Sequence, residues 1–135
     1  MTTYIFDGTK IGLLSCVFDA YYGKLIPNVV TDKEVQVGFC DKLYYIDSDV
    51  EKSNRVSKCL KNLATPHLLK DLALALKSGQ EDKFTVIFNY IKCAIDNKKV
   101  DISKNFADKR VLAFSDLIKK VTNEIHRFKG FIRFE

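Results

Sequence analysis

Three cations and one histidine crowd the stretch Glu124-Ile125-His126-Arg127-Phe128-Lys129-Gly130-Phe131-Ile132-Arg133-Phe134. Arg127 offers a planar fork of donors, Lys129 a point charge, and Arg133 a second guanidinium. Set among aromatic residues, these are the groups that contact phosphates and stack on bases. Lys119 and Lys120, two turns earlier, extend the same cationic run. Cations in the last turn of a helix also complement its dipole, which accounts for them without a ligand. His126 is the one titratable base in the cluster and could act as a general base if a carboxylate reached it. Glu124 is two positions away and so does not face it on a helix, and Asp7 would have to be brought from the other end of the chain.

The element that must carry these groups reads as a long amphipathic helix from Phe106. Ala107, Val111, Phe114, Ile118, Val121, Ile125 and Phe128 recur at alternating spacings of four and three, which defines one buried face. Gly130 predicts the stop, and Phe131 to Phe134 has the composition of a strand. The formal charge of +5 is concentrated here. Residues 1–91 hold 11 basic and 11 acidic side chains, whereas residues 92–135 hold 11 basic and 6 acidic ones. A one-sided basic end suits a polyanion such as DNA.

Ahead of it, Thr3 to Phe6 predicts a short strand, Asp7-Gly8-Thr9 a turn, and Thr9 or Asp7 a cap for a helix that stops at Gly23. Gly8 and Gly12 lack the third glycine of a dinucleotide fingerprint, and close packing is the role expected of Gly12. Residues 25–33 read as a loop around Pro27. Val35, Val37 and Phe39 alternate with polar residues and, with residues 43–46, suggest a hairpin. Asp47, Ser48 or Asp49 caps a helix to about Leu63. Thr65-Pro66 opens the next, whose leucines nearly encircle it and place it deep in the core. Phe84, Ile87, Phe88, Ile91 and Ile95 mark the inward stripe of a fourth helix. The expected fold class is α+β and helix-dominated: one compact domain over residues 1–135, about five helices with a small sheet of three or four short strands. Segments 3–6 and 131–134 are expected to share that sheet.

Hydrophobic residues make up 47 % of the chain, enough for a core, yet no run approaches the ~20 apolar residues that span a bilayer. A cytoplasmic protein with no membrane partner is expected. Cys16, Cys40, Cys59 and Cys93 have no C-x-x-C spacing, so no metal site and no cofactor are indicated, and reduced core thiols explain them. The pairs Tyr21-Tyr22 and Tyr44-Tyr45 could stack on bases, although half-buried packing is the simpler explanation.

Three stretches together resemble DUF4130, a family of uncharacterised bacterial proteins associated with DNA metabolism. They are Tyr4 to Thr9 with Gly12 to Leu14 and Val17 to Tyr21; Asp49 to Val56, with Lys52 and Arg55; and Glu124 to Phe134. The resemblance implies a companion of a radical SAM protein and kinship with a region fused to uracil-DNA glycosylases. It also implies that this chain corresponds either to the N-terminal portion of a longer architecture or to a naturally short member. It carries over no catalytic residue. Three functions stand as expectations in this order: a DNA repair or modification accessory domain binding nucleic acid through Lys119, Lys120, Arg127, Lys129 and Arg133; a docking scaffold for the radical SAM partner; and a nucleic-acid-processing hydrolase using His126 with Glu124.

Overall fold

A computed structural model describes residues 2–133 except 24, 35–37, 39, 40 and 66, and describes residues 128–133 by backbone alone. The order of elements is β1 (Thr2–Ile5), α1 (Lys10–Tyr22), β2 (Val29–Thr31), β3 (Lys42–Tyr45), α2 (Val50–Lys61), α3 (Leu68–Ala75), α4 (Lys83–Asp96) and α5 (Lys109–Arg133). Among the described residues, five helices with one small sheet confirm the helix-dominated α+β class.

The sheet differs from expectation in partners and direction. β1 is its centre and pairs in parallel with β2 on one side and β3 on the other. The β2 strand lies where a loop was expected. Its β-branched Val29-Val30-Thr31 is bracketed by Pro27, Asn28 and Asp32, whose turn chemistry masked it. Thr85 of α4 hydrogen-bonds both backbone groups of Val30, accepting from its N–H (3.0 Å) and donating to its carbonyl (3.1 Å). A helix side chain thereby occupies the outer edge of β2, where another strand could otherwise add. The first arm of the expected hairpin falls largely outside the described residues, and residues 42–45 pair with β1 instead.

The strand expected at 131–134 is overturned over its described part: α5 continues as helix through Arg133. Gly130 is interior to the helix, where glycine costs only about 1 kcal/mol relative to alanine. β-rich composition decides little where no neighbouring strand awaits it.

Capping fixes where the N-terminal helices start. Thr9 Oγ1 accepts from Gly12 N–H at 3.0 Å, and Asp49 Oδ1 accepts from Glu51 and Lys52 N–H at 2.9 and 3.2 Å. The two helix starts are tied together, because Ser15 Oγ in α1 accepts from Asp49 N–H and donates to the Ile11 carbonyl. Gly8 sits at φ +82, the left-handed region its turn needs. Gly12 is a close-packing position as expected: a Cβ there would run into Asp7 Oδ1, the Phe6 ring and Ser48 Oγ.

The helix deepest in the core is α4 rather than α3. Phe84, Val86, Ile87, Phe88, Tyr90, Ile91, Cys93 and Ala94 are all buried, and α4 packs on β2, α1, α3 and α5. In the eight-residue α3 only Leu68, Leu72 and Ala75 are buried, and the helix begins at Leu68 behind His67. Thr65, expected to cap it, is buried and accepts from Ile102 N–H at 3.2 Å. Cys16 and Cys93 are buried free thiols and Cys59 is half-buried. Among the described residues, no helix is long and apolar enough to cross a membrane.

Candidate nucleic-acid interface

The basic end of the chain is carried by a helix anchored at its N-terminal half. Val111, Phe114, Leu117 and Val121 are buried. The Phe114 ring stacks on Tyr90 of α4, with centroids 3.8 Å apart and planes 5° from parallel. Burial pushes the Tyr90 hydroxyl up to about 12, which keeps this pair neutral over the working range. At the start of α5, Asp108 accepts from Arg110 N–H (2.8 Å), Nε (3.2 Å) and Nη2 (2.9 Å). The Arg110 guanidinium and N–H lower the Asp108 carboxyl to about 2.

Past Val121 the character changes. Between Thr122 and Arg127 no residue is buried, so the helix emerges from its support. Lys109, Lys119, Lys120, Asn123 and Arg127 are exposed, as are Glu124 and His126. At ~100° per residue, Lys109, Lys119, Lys120 and Arg127 fall within about 100° of one another, opposite the buried stripe. Asp116 is the one acid on the same strip. Among the described residues no carboxylate lies within ion-pair distance of these four cations, and Lys120 Nζ meets only Gln80 Oε1, at 3.3 Å. Lys129 and Arg133 lie in the final turns of the same helix, and their side chains are outside the described residues. Arg133 thus belongs to the helix and not to a following strand.

His126 has no hydrogen-bonded carboxylate among the described residues, and Asp7 is engaged elsewhere. Asp7 Oδ2 accepts from Ser48 Oγ (2.5 Å), and Oδ1 accepts from Thr9 Oγ1 (2.6 Å) and Thr9 N–H (3.0 Å). Asp7 therefore braces the turn after β1 against the segment leading to α2. Those bonds, Ser48 first, lower the Asp7 carboxyl below its ordinary value. A depressed folded-state value means the stabilisation is present above the unfolded carboxylate's ~3.9 and is lost as pH falls through the folded one. Asp7→Asn is accordingly expected to lower the melting temperature at neutral pH, with the gap to wild type closing below about pH 4. Thermal unfolding followed by circular dichroism across pH 3–7 checks it; a gap that stays constant with pH would refute the bracing role.

A concavity elsewhere on the molecule escaped the sequence reading. A cavity of about 260 Å³ opens between α1, α2 and the end of α4, with Phe18, Tyr21, Tyr22, Arg55, Cys59 and Lys98 among its walls. Its residues are distant in the chain, and each reads locally as an ordinary helix or loop position. Among the described residues no group of three or more His, Cys, Asp or Glu side chains is placed to hold a metal ion.

The geometry is that of a helix-rich α+β domain whose last helix projects a cationic strip. Residues 81–135 match the family model of a domain of unknown function, DUF4130. The matching segment comprises α4, the connection and α5, and over it the chain is similar to that family. No curated protein and no solved structure gives a significant match.

Proposed function

We propose that this chain is an accessory nucleic-acid-binding domain in DNA repair or modification, gripping the phosphate backbone with the outer face of α5. The observation that supports this most is the set Lys109, Lys119, Lys120 and Arg127: exposed, on one strip, and unneutralised by any described acid. From Lys109 to Arg127 the helix rises about 27 Å at 1.5 Å per residue. That length matches about eight base pairs at 3.4 Å each, enough for four cations to meet separate phosphates. Asn123, on the same strip, can donate to phosphate oxygens. Contacts of this kind position a protein without reading sequence, which fits an accessory role better than a selective one.

The test is fluorescence anisotropy with a labelled duplex, titrated at several salt concentrations. Four phosphate contacts predict a log–log salt slope of roughly −3.6. Binding that is absent, or indifferent to salt, overturns the reading. Co-purification with a radical SAM protein that survives high salt would instead assign the projecting helix to protein docking.

A further inference from the structure

The cavity between α1, α2 and α4 combines features that are hard to explain as packing alone. Phe18 and Tyr22, one turn apart on α1, stack with centroids 4.2 Å apart and planes 18° from parallel. Lys52, held to Asp19 at 2.9 Å, lies over the Phe18 ring at 5.6 Å and helps fix it. Tyr22 nevertheless remains 71 % exposed, the most exposed large hydrophobic side chain among those described. The Tyr21 hydroxyl donates to Asp96 Oδ1 at 3.0 Å and reaches the Lys92 carbonyl at 3.4 Å. Its ring is therefore a fixed wall. The floor is aliphatic. Arg55 of α2 and Lys98, just after α4, complete the lining, and neither has an ion-pair partner among the described residues.

An apolar slot with a few placed polar groups is the usual form of a small-ligand site. Here the polar groups are both cations, one of them a guanidinium fork shaped for phosphate oxygens. The complementary occupant is a flat ring carrying an anion. Aliphatic acids would satisfy the charges but leave the aromatic surface without its best partner, since bases stack on such rings whatever their identity.

We infer that this cavity binds a nucleoside monophosphate unit, its base against the Tyr22 and Tyr21 rings and its phosphate on Arg55 and Lys98. The unit could be a free nucleotide or one residue of a single strand. For the second source alone, the inference rests on the nucleic-acid reading of α5.

The experiment uses the full chain, labelled with ¹⁵N. It is titrated separately with the four deoxynucleoside monophosphates, the matching nucleosides, inorganic phosphate and tetranucleotides. Shifts confined to amides around Phe18, Tyr22, Arg55 and Lys98 are expected with at least one monophosphate or tetranucleotide. Nucleoside alone and phosphate alone should each bind roughly tenfold more weakly or worse, the first without its charge partners and the second without stacking. Arg55→Gln with Lys98→Gln, and separately Tyr22→Ser, should each weaken the nucleotide about tenfold while leaving the melting temperature unchanged, since all three side chains are exposed. Phosphate binding as tight as nucleotide binding, shifts located elsewhere, or no shifts with any of these probes would overturn the assignment. Saturation by mononucleotide identifies a free ligand; binding only of tetranucleotides, abolished by the Arg55 and Lys98 changes, identifies a strand. A variant neutralised on α5 should keep its mononucleotide affinity, so the slot and the helix can fail independently.

Discussion

Replacing Lys119, Lys120 and Arg127 together by glutamine is expected to weaken duplex binding about 10²-fold near 0.15 M salt and to flatten the salt slope by roughly 2.7, at about 0.9 for each phosphate no longer neutralised. The three side chains are exposed and tied to no described acid, so folding should be unaffected and the melting temperature should move little. Anisotropy titrations of wild type and variant at matched salt concentrations make the comparison. The slope is the sharper readout, because it counts phosphates and is insensitive to active protein fraction. An unchanged slope would place the phosphate-binding groups elsewhere even if affinity fell. Exchanging the same residues among Lys and Arg should preserve most of the slope, since charge and not fork geometry sets counterion release.

The second large effect is structural. Phe114→Ala is expected to destabilise the fold by about 3–5 kcal/mol, the range for removing a buried aromatic ring and leaving its cavity. Phe114 is 3 % exposed and Tyr90 is 2 % exposed, so the void opens where α5 lies on α4. Chemical denaturation measures the change. It should appear as a lower midpoint with an unchanged slope if the folded state keeps its shape. Phe114→Leu should recover much of the stability, because a smaller void remains. A destabilisation below about 1 kcal/mol would mean that α5 is held by other side chains and that Tyr90 is not its anchor.

Much of the fold was legible because helices announce themselves through period and caps. Thr9 and Asp49 start their helices as their positions predicted, and the buried stripe of α4 contains every residue expected inward, with Ile95 half-buried at its margin. The sheet was less legible. Strands of three and four residues carry too little pattern to reveal direction, and Val29 to Thr31 lay hidden between turn-forming neighbours. The end of α5 departs from expectation because Gly130 and the aromatic Phe131 have strong local preferences that the helix overrides. Helix propagation costs less than stopping where no sheet offers a place. The cationic strip followed from periodicity alone. The aromatic slot did not, because Phe18, Arg55 and Lys98 belong to three separate segments that only the tertiary fold brings together.

The seat of α4 bears on where this chain can be cut. The segment that matches the family model begins just before this helix, yet the helix is apolar on nearly every side. Part of what shields it comes from β2 and α1, upstream of the match. A fragment cut ahead of Glu81 would remove β2 and α1 from against α4 and leave Thr85 with no strand to close. The matching stretch is therefore packed as part of a larger core, and trimming this chain to its boundaries is expected to cost that packing.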